Sequence, residues 1–340
     1  MNTAPEFTNL ADLASARVGG RAVAANDDFF APKSNLVKAE PAIFIPDKYT
    51  TRGKWMDGWE SRRRRVPGHD WCIVELGMRG VVRGVNVDTS HFTGNFPSHC
   101  SIEAIDSPRG VKPSMHAVDG APWTTILPKT ELRGNGDNLF AISDYRAWTH
   151  LRLSIYPDGG VARLRVFGEV AVDWDRVAPP GKGVVDLASI KNGGLFLAAS
   201  DLHYGTRGAL IMPGRAENMG DGWETKRNRD PRHTHDWAIV RLGHPGMISK
   251  IEIDTNHYKG NYPDRASLEG CLAPTVHVDN LAAMPWATIL PETKLSANNR
   301  HFFSAKELQE TGPFSHVRLN IFPDGGISRL RVYGSLAADR

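Results

Sequence analysis

The sequence predicts an all-β chain of two antiparallel β-sandwiches, or jelly rolls, in tandem. Three observations carry that reading: short runs of alternating apolar and polar letters, turn residues between them at near-regular intervals, and a polar-rich block that occurs twice. In Leu151-Arg152-Leu153-Ser154-Ile155-Tyr156 the apolar letters fall on every second position, the period of a strand with one buried face. Pro157-Asp158-Gly159-Gly160 then supplies a turn and Arg163-Leu164-Arg165-Val166-Phe167 alternates again, which predicts a hairpin. The same pattern returns from His316. Val85 to Asp88, Ile251 to Asp254, Trp71 to Leu76 and Ser101 to Ile105 add further strands. Helical periodicity is sparse, its best stretches being Ala305 to Glu310 and the first dozen residues.

The repeat sets the domain organisation. DGWESRRRRVPGHDW from Asp57, and DTSHFTGNFP ending at Pro97, return as DGWETKRNRDPRHTHDW from Asp221 and DTNHYKGNYP ending at Pro263. Residues 1–172 read as the first unit, the Pro- and Gly-rich segment 173–183 as a linker, and 184–340 as the second unit. Matched letters are offset by 174 at Asp27 and Asp201, by 164 at the DGWE block, by 166 at HDW and again at His150 and His316, and by 163 between, at Trp123 and Trp286. Ten extra residues therefore lie between Asp27 and Asp57 of the first unit, and that stretch reads as a loop, where insertions are tolerated.

Composition excludes some classes. Lys+Arg 41 against Asp+Glu 38 leaves a net charge of +3, too close to balance for a protein that wraps nucleic acid. The three cysteines, Cys72, Cys100 and Cys271, have no C-x-x-C spacing, which argues against a disulfide framework and a cysteine zinc site and fits a reducing compartment. With no basic leader and no apolar run of about 18 residues, the expectation is a cytoplasmic protein without a membrane partner.

A shared fold requires only the apolar alternation and the turn glycines to recur, yet Asp, Glu, Arg, His and Asn recur as well. The two copies of DGWE, a basic run, HDW, DT-x-H-[FY]-x-G-N-[FY]-P and [IF]-[YF]-P-D-G-G resemble the allantoicase family over nearly the whole chain. That resemblance implies a tandem jelly roll of the galactose-binding-like kind, a homo-oligomer, and a hydrolase that converts allantoate and water to ureidoglycolate and urea in purine (allantoin) catabolism. A non-catalytic carbohydrate-binding tandem is the alternative, since jelly rolls present ligand loops at one rim.

Urea leaves a carbon that carries two ureido groups, so the remaining ureido nitrogen can assist departure before water adds. Such a route needs an acid and a base and no Ser or Cys nucleophile; no G-x-S-x-G is present. Asp88 and Asp254 end strands, with His91 and His257 in the loops beyond and Asn95 and Asn261 at the turns. These read either as an acid/base and ureido-binding rim or as a turn cap, a backbone-bonded His and a positive-φ corner. Glu60 and Glu224, beside Asp57 and Asp221, offer a base, a cation site or a partner for the basic run. Within that run Arg63 and Arg227 are the expected contacts to the allantoate carboxylate, since a charge-assisted Arg–carboxylate bond is worth about 1.5–3 kcal/mol when sheltered. In each His-Asp pair, His69-Asp70 and His235-Asp236, one member is expected to be structural, because neighbours in a strand face opposite sides. Trp71 and Trp237 are expected in the core. The sequence leaves a divalent metal such as Mn²⁺ open, in a labile oxygen-rich site whose ligands would come from separate loops.

Overall fold

The computed structural model describes residues 4–107, 122–179, 183–230 and 232–338. Two compact units, Met1–Ala171 and Val172–Arg340, are each almost wholly β. The first holds β1 (Ala11–Asp12), β2 (Arg21–Ala25), β3 (Tyr49–Thr50), β4 (Gly53–Lys54), β5 (Trp59–Glu60), β6 (Asp70–Asp88), β7 (His99–Ile105), β8 (Thr124–Glu131), β9 (Leu139–Ala141), β10 (Ala147–Tyr156), β11 (Gly160–Val161) and β12 (Arg163–Val170). The second holds β13 (Val185–Asp186), β14 (Leu195–Ala199), β15 (Tyr204–Gly205), β16 (Trp223–Glu224), β17 (Asp236–Asp254), β18 (Arg265–Cys271), β19 (Ala287–Lys294), β20 (Arg300–Ser304), β21 (Phe314–Phe322), β22 (Gly326–Ile327) and β23 (Arg329–Leu336).

One long strand organises each unit. In the first, antiparallel pairing runs β1-β12-β6-β10-β7-β8, with β2 and β9 also bonded to β6; the second repeats it as β13-β23-β17-β21-β18-β19, with β14 and β20 on β17. Residues 72–75 of the 19-residue β6 lie between β2 and β10, and residues 84–86 lie between β9 and β12. The strand thus serves both layers of the sandwich, turning near Gly77, where a Cβ would come within 2.6 Å of the Gly20 nitrogen and only glycine permits the crossing.

Alternation places the core where expected. Leu151, Leu153 and Ile155 of β10 and Cys100, Ile102 and Ala104 of β7 face inward, nearly all fully shielded. Each large apolar side chain so buried contributes roughly 1.5–3 kcal/mol. All three cysteines are free and buried.

Several sequence expectations are revised. The hairpin expected around Pro157 does not form: β10 lies between β6 and β7, and β12 between β1 and β6. Alternation reports which face is buried but not which strand is the neighbour, so a turn between two alternating runs does not fix their pairing. Trp71 and Trp237 are half-buried outward positions, because the same alternation points Cys72 and Ala238 inward; the fully buried tryptophans are Trp59 and Trp223. Ala305 to Glu310 forms turns and bends, and the N-terminal stretch contributes one 3-10 turn, Glu6–Asn9. The segment read as a linker contains one helical turn, α1 (Trp174–Val177), capped by the Asp173 side chain; residues 180–182 of it lie outside the described residues. The stretch before Asp57 is more than a loop: it carries a 3-10 helix, Lys33–Val37, matched by Ala209–Ile211 in the second unit, and the ten extra residues include the β3–β4 hairpin.

Candidate active site

The repeated polar blocks converge on one rim of each sandwich. The P-D-G-G turn packs on the G-N-[FY]-P loop because a Cβ at Gly159 would lie 2.6 Å from the Asn95 carbonyl oxygen, and that oxygen accepts the Gly160 N–H at 2.8 Å. Gly159 has φ +136°, a region open to glycine. β11 then pairs with β5, which fixes Glu60 beside Asn95. Asn95 Nδ2 donates to Glu60 Oε1 at 2.7 Å, and in the second unit Asn261 donates to Glu224.

Two other residue types support the rim from beneath. Asp57 Oδ2 meets Arg163 Nη2 at 2.6 Å and its Oδ1 meets Lys38 Nζ at 2.9 Å, both carboxylate and guanidinium being buried. Burial opposes ionisation of Asp57, but the Arg163 and Lys38 hydrogen bonds outweigh it and hold the carboxyl below its ordinary value. Asp221 meets Arg329 in the same way at 2.9 Å. Asp88 Oδ1 caps the Ser90 N–H at 2.8 Å, and Asp254 caps Asn256 at 2.9 Å while Arg215 approaches at 3.3 Å. Thr89 and Thr255, fully buried, donate to the Arg133 and Ser296 carbonyls and tie the D-T-x-H loops to the loops beyond β8 and β19.

The histidines are held at both ends. His91 and His257 each have φ +71°, a left-handed conformation that is uncommon for a side chain bearing a Cβ. Their N–H groups donate to Asn135 Oδ1 (2.9 Å) and Asn298 Oδ1 (2.8 Å). Nε2 of His91 lies 3.1 Å from the Ala42 carbonyl, and Nε2 of His257 lies 2.9 Å from that of Ala216. A carbonyl only accepts, so Nε2 carries the proton and Nδ1 presents its lone pair.

In the first unit these residues share a cavity of about 400 Å³, lined by Glu60, His91 and Asn95 together with Phe30, Phe44, Lys54, Met56, Thr93 and Asn135. Burial raises the Glu60 carboxyl above its ordinary value, the Asn95 hydrogen bond pulling it the other way. In the second unit a cavity of about 450 Å³ lies beside Glu224 and Asn261, with Arg227, Tyr204, Asp264 and Asp324 in its wall. Its lining does not include His257.

The sequence candidates therefore separate. Glu60, His91 and Asn95 come together, as do Glu224, Asn261 and Arg227; Asp57, Asp221, Asp88 and Asp254 brace the backbone beneath them. Arg63 is exposed and outside the lining of the first unit's rim cavity, whereas its neighbours Arg62 and Arg64 pair with Asp27 and Asp70, each at 2.6 Å. Lys54, Phe44 and Asn135 were missed. The first two belong to the insertion, which has no matched letters in the second copy; Asn135 stands in a Gly-Asn-Gly-Asp turn that reads as a corner alone. Among the described residues no group of three or more His, Cys, Asp or Glu side chains is placed to hold a metal ion. No helix among them is long and apolar enough to cross a membrane.

Comparison with known proteins agrees with this organisation. The allantoicase repeat family matches residues 11–171 and again 185–337. A probable allantoicase of Burkholderia mallei is 50% identical over 98% of this chain and 97% of its own length, and one of Photobacterium profundum is 47% identical over 98% and 99%. The crystal structure of allantoicase from Saccharomyces cerevisiae superimposes with a TM-score of 0.80 at 34% identity, covering 97% of this chain and 96% of that one. These matches run through both repeats and leave the carbohydrate-binding alternative without support: the chain belongs to the allantoicase family of hydrolases.

Proposed function

We propose that the rim cavity of the first repeat carries out the family's reaction, the hydrolysis of allantoate to ureidoglycolate and urea. The observation that carries this reading is the gathering of Glu60, His91, Asn95 and Lys54 around one cavity of substrate size. Allantoate is an anion, and this lining sets Lys54 against a single carboxylate. The second repeat's cavity sets Arg227 beside Glu224, Asp324 and an Asp264 already paired with Lys294 and Arg265, and its lining has no counterpart of Lys54.

Each role follows from chemistry at a named atom. Lys54 Nζ binds the substrate carboxylate. Glu60, whose protonated form burial favours, gives a proton to the departing urea nitrogen as the C–N bond breaks, while the lone pair of the remaining ureido nitrogen stabilises the carbon. Water adds to that carbon and loses a proton to Nδ1 of His91, whose ring is oriented by the Ala42 carbonyl. Transfer of that proton back to Glu60 through solvent restores the starting state. Asn95, one N–H of its amide engaged with Glu60, has its carbonyl oxygen for a ureido N–H.

Urea release from allantoate tests the reading. His91→Ala is expected to lower turnover about 100-fold with the fold retained, and full activity in this variant would remove His91 from the reaction. The same reading takes the protein as a cytoplasmic homo-oligomer. Exposed Ile43, Phe44, Ile45 and Tyr49, clustered on the insertion, support an interface there, to be checked by light scattering.

A further inference from the structure

A second cavity, about 710 Å³, lies on the open face of the first repeat's sheet and shares no residue with the rim cavity. It is made by the outward letters of the strands whose inward letters form the core: Trp71 of β6, Ser101 and Glu103 of β7, Arg152, Ser154 and Tyr156 of β10, with Arg64, His69 and Lys129 at its edges. We propose that this face binds a small monoanionic carboxylate that also carries a flat amide or ureido group. The ligand class comes from the chemistry of the walls and does not depend on the rim assignment.

The charges are arranged for one extra negative group. Arg152 donates through Nε to Glu103 Oε2 at 2.8 Å, with Nη2 at 2.6 Å, and lies over the Trp123 ring at 4.9 Å. Arg64 is matched by Asp70. Lys129, over the Tyr156 ring at 4.5 Å, has no carboxylate partner among the described residues. In the Arg64–Asp70 pair, Arg64 Nε and Asp70 Oδ2 are both buried without a hydrogen-bond partner. Both cations can meet a carboxylate that brings its own charge into the cavity. The flat rings of Trp71 and Tyr156 flank the space, and His69 lies 4.9 Å from Tyr156. Burial, then the charges of Arg152 and Arg64, hold His69 below its ordinary pKa and favour the neutral ring, whose nitrogens can donate and accept. Glu103 Oε1 and the hydroxyls of Ser101, Ser154 and Thr125 offer acceptors to amide N–H groups.

The second repeat shows what the same face looks like when filled. Trp237, Ser267, Glu269 and Arg318 stand where Trp71, Ser101, Glu103 and Arg152 do, but Asn320 replaces Ser154 and donates to Ser267 Oγ at 3.2 Å and Glu269 Oε2 at 2.8 Å. Lys129 becomes Glu292, which pairs with Arg265, and Arg64 becomes Asn228. Gly68, at φ +142° beside the Arg64 guanidinium, becomes Thr234. Geometry and charge thus differ together between the two copies.

The test uses N-carbamoylglycinate, a monoanion with one ureido group, titrated calorimetrically into the full-length protein while the His69 ring is followed by NMR. At least one equivalent should bind and the His69 pKa should rise as the anion arrives, a shift that occupancy of the rim cavity would not produce. Lys129→Glu and Ser154→Asn, substitutions the second repeat already accommodates, should each weaken the binding read at His69 by about tenfold or more. Absence of a His69 shift in the unaltered protein, or a shift that survives both face variants unchanged, would overturn the proposal. Turnover of allantoate by the same variants reports separately on the rim.

Discussion

The two rims share one frame and differ in what covers it. In both, Asn donates to Glu, His stands at φ +71° with Nε2 on the carbonyl of an alanine, and a buried Asp–Arg pair lies beneath. Even the start of the covering segment matches: the Ile43 N–H donates to Asp57 and the Glu217 N–H to Asp221. Beyond that point the first repeat runs through residues 44–56 and the second through 218–220 only. The longer strap brings Phe44 against the His91 ring, at 5.8 Å and nearly parallel, and adds Lys54 and Met56 to the cavity wall. Duplication therefore preserved the scaffold of the site, and an insertion made the copies unequal.

The sharpest way to break that comparison is at the two glutamates. Glu60→Gln is expected to lower allantoate turnover about 100- to 10,000-fold and Glu224→Gln by less than about tenfold, read from the rate of urea release. Equal losses would mean that the rims are equivalent. An acid works protonated, so turnover should decline as pH rises through the raised Glu60 value, and a pH profile of Glu60→Gln should lack that limb.

The buried pairs should respond alike, because they belong to the common frame. Arg163 and Arg329 are each 1% exposed. Replacing either by Met takes the guanidinium from a buried carboxylate beneath its rim, Asp57 then keeping its Lys38 partner, at a cost of about 3–5 kcal/mol in denaturant unfolding. A large difference between the two would show that the frame is specialised too. A smaller effect is expected from the strap: substituting residues 44–56 by the shorter Asn218-Met219-Gly220 should lower turnover about 100-fold while the main core, outside the small cluster that Met56 forms with Phe92 and Ala162, remains folded.

The legible and illegible parts of this protein divide along the same line. Much of what is present in both copies could be read by matching letters: the sandwich, the strand Asp70–Asp88 and its twin, and the presence of Glu, His and Asn at one rim; Asn135 and Asn298 recur too but sit in turns that hide their bond to the histidine. Matching could not separate roles within a block, since Asp57 recurs as faithfully as Glu60 yet is enclosed by Arg163. Nor could it foresee pairing, as β10 and β12 show, because the partner of a strand is set by the whole sheet. Arg63 drew notice by its charge, but a letter does not say which way a side chain points from a loop. Lys54 was beyond reach for the opposite reason: it stands where the second copy has nothing to compare.

Lys54 is also where the comparison can be tested most finely. Its ammonium lies 4.6 Å over the Phe44 ring, a contact that steadies it at the cavity wall without neutralising its charge. A group that binds the substrate carboxylate equally in ground and transition states changes KM and leaves kcat alone. Lys54→Ala should therefore raise KM for allantoate about tenfold with kcat nearly unchanged, and Lys54→Arg should restore most of the loss. A fall in kcat at constant KM would instead place Lys54 near the departing urea, and the strap would then be part of the chemistry and not only of recognition.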